Sequence, residues 1–138
     1  GYVDLTSPAG IGISVLVYNY DGDVYASDEG RMLAEMGDKT FRLGNLNEDA
    51  YEEIMLSDSL LDPIEQSFTG SVPMCSECAF ESYCGAEPVY HHATQGNFVG
   101  RKPQSDFCHR NMAIFRDLIK RYQKDPEVAN IFRRWVSR

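Results

Sequence analysis

Four cysteines, Cys75, Cys78, Cys84 and Cys108, carry the strongest chemical signal in the sequence, and no fifth accompanies them. Two cysteines separated by two residues can point both sulfurs at one metal ion or one cluster, because the turn between them reverses the chain within a short distance. The full spacing is C-x2-C-x5-C-x23-C. Four thiolates suit either a tetrahedral zinc or a 4Fe-4S cluster, which takes one sulfur per iron. Zinc ribbons usually show two close pairs, whereas here one pair is followed by a third cysteine and a remote fourth, an asymmetry that favours a cluster.

Competing roles for these thiols are a redox pair, disulfides or plain buried residues. A thioredoxin-type pair wants a strand before it and a helix directly after it, and Pro73-Met74 and Ser76-Glu77 supply neither. Disulfides belong to oxidising compartments, and no secretory signal is evident. His91, His92 and His109 are further ligand candidates. His109 adjoins Cys108, but neighbours on a helix point about 100° apart, so ordinary polar roles are expected for all three. Tyr83 and Tyr90 flank the cysteine knuckle and are placed either to shield a centre from water or simply to pack. There is no phosphate-binding glycine loop, nucleophile elbow or paired-histidine metalloprotease motif, and no catalytic nucleophile stands beside a base.

The elements that must position the thiols follow from local patterns. Ile11 to Tyr20 is rich in branched and aromatic residues, Asp21-Gly22 offers positive-φ turn chemistry, and Val24-Tyr25 resumes the strand pattern, so a β-hairpin is expected over 11–26. Ser27-Asp28-Glu29 can cap a helix through Met32, Leu33 and Met36, ended by Gly37. Phe41 to Asn45 reads as a short extended piece. Asn47 is the expected cap of a helix through Tyr51, Ile54 and Met55, and a further helix is expected from Ser59 to Phe68 with Pro63 in its first turn. From 69 to 105 periodicity disappears and Gly70, Pro73, Gly85, Pro88, Gly96, Gly100 and Pro103 punctuate a long loop. Loops of that length need something beyond ordinary packing to order them, and three of the four cysteines lie inside it. Ser105 caps a helix over 106–122, which puts Cys108 in its first turn. Asp125-Pro126 opens a last helix over 126–136.

Composition bounds the rest. A chain of 138 residues with 43% hydrophobic content suits one folded domain over 1–138. Residues 1–65 hold 14 acids against 3 bases, and residues 66–138 hold 7 acids against 10 bases. The acidic first half argues against generic nucleic-acid binding. No apolar run nears the roughly 18 residues of a membrane helix, and Gly1-Tyr2-Val3-Asp4-Leu5 has no basic segment leading into an apolar one. The expectation is therefore a cytoplasmic chain without membrane partners, and its opening suggests a segment of a longer protein. The expected fold class is α+β: a small hairpin, short helices, a cysteine-bearing loop closed by a metal centre, and C-terminal helices.

From Val15 to Tyr122 the chain resembles the SPASM domain, the C-terminal extension of radical SAM peptide-modifying enzymes. The resemblance rests on Tyr20-Asp21-Gly22-Asp23-Val24-Tyr25, Arg42-Leu43-Gly44-Asn45, the run Cys75-x2-Cys78-x5-Cys84, and Ser105-Asp106-Phe107-Cys108. Asp28-Glu29-Gly30-Arg31-Met32-Leu33-Ala34 and Thr94-Gln95-Gly96 are most similar to the maturases of His-Xaa-Ser peptide systems. The resemblance implies that Cys75, Cys78, Cys84 and Cys108 bind one auxiliary 4Fe-4S cluster. It also implies that a second cluster is absent, because two places the family fills with cysteine hold Ser27 and Pro88 here. The radical-generating C-x3-C-x2-C loop is missing, so the implied role is accessory: electron relay, substrate positioning or fold stabilisation beside a radical SAM catalytic domain of the same polypeptide, acting on a precursor peptide. The alternative is a zinc-stabilised four-cysteine module whose acidic helices, 28–36 and 48–55, bind a basic protein.

Overall fold

In the computed structural model residues 10–136 are described, and the chain divides into two compact units, Gly1–Lys102 and Pro103–Arg138. The opening residues weighed above for a leader lie outside the described part. The architecture is α+β, with a three-stranded antiparallel sheet and several helices.

The first unit grows from the Asp21-Gly22 turn. Gly22 takes φ +89, its N–H bonds Asn19 O at 3.0 Å, and Asn19 N–H bonds Asp23 O at 2.8 Å. A side chain at Gly22 would strain the backbone and press on Asn45 and Asn47. Strand β1 (Val17–Tyr18) pairs with β2 (Asp23–Tyr25) through Val17–Tyr25 and Tyr18–Val24. The hairpin is thus shorter than 11–26. Residues 10–14 curl instead into a tight turn, with Ile13 and Ser14 N–H both bonded to Gly10 O. Strand β3 (Arg42–Asn45) completes the order β1-β2-β3, as the Phe41 to Asn45 pattern led one to expect.

Helix α1 (Asp28–Glu35) begins where Ser27 Oγ accepts the Gly30 N–H at 3.1 Å. It ends in a Schellman arrangement, Gly37 N–H to Ala34 O and Asp38 N–H to Leu33 O, with Gly37 at φ +97. Met32 and Met36 stay exposed, and Gly30 is the helix residue that is buried. Helix α2 (Tyr51–Met55) starts after Ala50, not Asn47. Asn47 bonds the Asn45 side chain, and the Glu53 carboxylate takes the Ala50 N–H at 2.8 Å, so the cap acts from inside the helix.

Helix α3 (Asp58–Ser67) contains Pro63 in its second turn rather than its first. The missing N–H costs a helix bond, and full burial of the ring offsets that loss. The core gathers Ile11, Val24, Ala26, Leu43, Ile54 and Leu60, with Leu16, Met55 and Ile64 against them.

Residues 69–105 depart from the expected irregular stretch. Helix α4 (Pro88–Gln95) lies within it, with Pro88 in the first turn and Gly96 as a left-handed C-cap at φ +73. Two residues read as breakers are therefore the helix's start and stop signals. Phe41, fully buried, holds α4 and the loop after it by edge contacts to His92 (5.4 Å) and Phe98 (5.5 Å).

The second unit is a pair of helices, α5 (Asp106–Lys124) and α6 (Pro126–Val136). The first runs two residues beyond the expected 122 and the second matches 126–136. Ser105 Oγ accepts the Cys108 N–H at 3.2 Å, and the Asp125 carboxylate accepts Glu127 and Val128 N–H groups. Tyr122, Phe132 and Trp135 stack in sequence, at 6.2 Å and 5.3 Å between ring centres, and join the two helices.

Candidate metal centre

Cys75, Cys78 and Cys84 sit on consecutive tight turns in the first unit. Val72 O accepts from Cys75 and Ser76 N–H, Cys75 O from Cys78 N–H at 2.9 Å, Cys78 O from Glu81 N–H, and Glu81 O from Cys84 N–H at 3.1 Å. Each turn satisfies backbone groups locally, which a segment without strand or helix partners must do. Met74, directly before the first cysteine, takes φ +69, a conformation that costs a non-glycine residue about 1 kcal/mol or more. The Phe80 N–H points at Cys78 Sγ, 3.5 Å away; a thiolate accepts such a bond more strongly than a thiol does.

Burial shows how little apolar packing orders this stretch. From 70 to 84 Val72 alone is buried. The cysteines themselves are half-buried thiols. A polar clasp spans the close pair: the Thr69 hydroxyl, fully buried, donates to Glu81 Oε1 at 2.5 Å. Periodicity has no means of revealing such a pair, twelve residues apart.

Cys108 belongs to the second unit, in the first turn of α5, where the positive end of the helix dipole favours an anionic sulfur. Its Sγ lies 3.8 Å from Met112 Sδ, one turn on.

The remaining candidates have structural posts. His91 is wholly buried with Nδ1 2.8 Å from Glu87 O; burial, and then the charge of Lys102, push its pKa down. His92 Nε2 meets Asp38 Oδ2 at 2.7 Å. His109 is exposed on α5. Tyr83 is 62% exposed, and Tyr90 rests edge-on against His91. Ser27 and Pro88 serve as the cap of α1 and the first residue of α4. Near them lies a cavity of about 310 Å³ lined by Ile11, Ala26, Asp28, Glu29 and Glu87 among others. Burial, then the nearby Glu29 charge, raise the Glu87 pKa.

Sequence reasoning missed Asp23. It is buried and receives Arg42 Nε at 2.7 Å, Lys39 Nζ at 3.1 Å and Asn45 Nδ2 at 2.9 Å. Burial alone would raise its pKa, but the bonds from Asn45, Arg42 and Lys39 prevail and hold it at about 2. The Asp23–Arg42–Asn45 set lies on paired strands β2 and β3, so it fixes their register and does no visible chemistry.

Thiols are the donor type that a four-thiolate centre takes, and the close pair lies on successive tight turns. Among the described residues, however, no three histidine, cysteine or carboxylate side chains are gathered in a metal-binding arrangement, and no helix is long and apolar enough to cross a membrane. The chain matches no protein-family model, no curated protein and no solved structure.

Proposed function

We propose that this chain is a SPASM-like accessory domain of a radical SAM peptide maturase, holding one auxiliary 4Fe-4S cluster on Cys75, Cys78, Cys84 and Cys108. The observation that carries the reading is the stretch from 70 to 84, where three thiols ride on tight turns and only Val72 is buried. Such a segment has little reason to keep three half-buried cysteines within ten positions except to present them to a common ligand. When bound, a 4Fe-4S group supplies a one-electron centre and a cross-link of the chain.

The chain's own residues have definable parts in that role. Phe80 N–H donates to Cys78 Sγ, and hydrogen bonds to ligand sulfur are a standard control on a cluster's potential. Ser105 sets the start of α5 and so fixes where Cys108 Sγ can reach. On this reading a second cluster is absent because Ser27 and Pro88 stand where the resemblance would need cysteine; here they cap α1 and open α4.

Metal and sulfide analysis of protein prepared without oxygen tests the proposal. The expected result is about four iron and four sulfide per chain, with a broad absorbance near 400 nm. A colourless protein with one zinc per chain would replace it with a zinc-stabilised interaction module.

A further inference from the structure

The second unit carries an apolar surface that its own two helices do not cover. No side chain of the 19-residue α5 is buried, and in α6 only Ala129 is. Ile114, Leu118 and Tyr122 recur every four residues along one side of α5, and each is at least 40% exposed. Ile131, Trp135 and Val136 are exposed on α6. A stripe of this width on an amphipathic helix faces a protein core or a partner. Between the helices runs an open groove of about 360 Å³, lined by Tyr122, Phe132, Arg133 and Val136.

Charge identifies what the groove suits. Residues 103–138 hold eight bases against four acids, whereas residues 1–102 hold seventeen acids against five bases. Two guanidinium groups lie over aromatic rings of these helices: Arg133 over Tyr122, in the groove wall, at 5.8 Å, and Arg110 over Phe107, toward the start of α5, at 5.7 Å. Arg133 Nη1 already donates to Asn130 Oδ1 at 3.1 Å, and a guanidinium has five N–H donors, so further ones can meet a carboxylate. A second copy of the helix pair would bring like charge against like charge. An anionic lipid surface would meet the basic residues, but it has no use for a concave groove with Arg133 in its wall.

We infer that the α5–α6 surface docks an acidic amphipathic helix of a protein partner, its apolar face in the groove and its carboxylates on Arg110 and Arg133. This is the helix-in-groove mode, in which apolar anchors supply affinity and flanking charge supplies specificity. It does not depend on the metal centre.

Trp135, the only tryptophan in the chain and 69% exposed, is a built-in reporter. The experiment titrates the 138-residue protein with a synthetic helical peptide carrying leucines at helical spacing flanked by glutamates. A matched peptide with lysines in place of the glutamates, and vesicles of phosphatidylserine and phosphatidylcholine, are run alongside. The expected result is a saturable blue shift of Trp135 with the glutamate peptide, about tenfold weaker for the lysine peptide and for the double variant Arg110→Gln, Arg133→Gln. Leu118→Gln, an exposed position, should weaken binding while leaving the circular dichroism spectrum unchanged. Equal binding of the two peptides, a shift with vesicles alone, or a shift that follows protein concentration because copies associate would each overturn the inference.

Discussion

Asp23 is the residue on which the first unit's electrostatics turn. Its pKa of about 2 lies below the ordinary carboxylate value of 3.8, so the folded state binds its proton less tightly than the unfolded one. The sign follows from linkage: the stability it contributes is present above pH 3.8 and is lost as pH falls toward 2. Asp23→Asn should lower stability at pH 7 by about 1–3 kcal/mol, a figure discounted because Lys39 reaches the carboxylate from solvent. It should also flatten the melting temperature between pH 4 and pH 2, which thermal denaturation across that range measures. Glu87 has the opposite sign. Its folded pKa is raised, so stability falls as pH climbs from the ordinary glutamate value through the higher folded one. Glu87→Gln keeps an oxygen for the Val89 N–H and removes the charge. A variant at least as stable as the parent at pH 7, and no longer weakened as pH rises above the ordinary glutamate value, is the expected outcome. Neither behaviour was legible in sequence, because a carboxylate's surroundings are made by residues far along the chain.

At the level of elements, legibility followed the punctuation. The hairpin was readable from Asp21-Gly22, α1 from Ser27 and Gly37, α5 and α6 from Ser105 and Asp125-Pro126. Each is a short-range device whose hydrogen bonds close within a few residues. Helix α4 was not readable, because eight residues give too little period and its Pro88 and Gly96 mimic loop composition. Pro63 misled in the other direction: an interior proline argues for a helix start, and only tertiary burial of its ring lets α3 continue through it. The cysteine types and spacing were legible, but the turns that carry them and the Thr69–Glu81 bond were not. One position binds α4 to the loop after it. Gly100 has φ +68, and a Cβ there would collide with the His91 ring. Gly100→Ala combines backbone strain with overpacking and should cost about 2–4 kcal/mol. A denaturant midpoint unchanged from the parent would show that the loop yields freely.

For the molecule as a whole, charge and order are distributed unequally. The first unit combines a strongly acidic sequence with a small apolar core, and the second combines a basic sequence with an exposed apolar surface. On the proposed cluster reading, order in the stretch from 70 to 84 depends on sulfur ligation more than on burial. Cys78→Ala in protein prepared without oxygen should therefore bring early proteolytic cleavage between 70 and 84, while Val24, Leu43 and Ile54 keep the sheet's amide protection. Mass mapping of limited digests checks it; cleavage no faster than in the parent would remove ligation as the source of order.

The hydroxyl-to-carboxylate contact from Thr69 to Glu81 has a further consequence. It closes the arc from 69 to 81, which carries Cys75 and Cys78, by a bond that no inorganic ligand makes, so part of the entropy of closing that arc is already lost in the bare polypeptide. Any ligand that Cys75 and Cys78 take therefore has less slack chain to draw in, whereas the positions beyond 81 have no such head start.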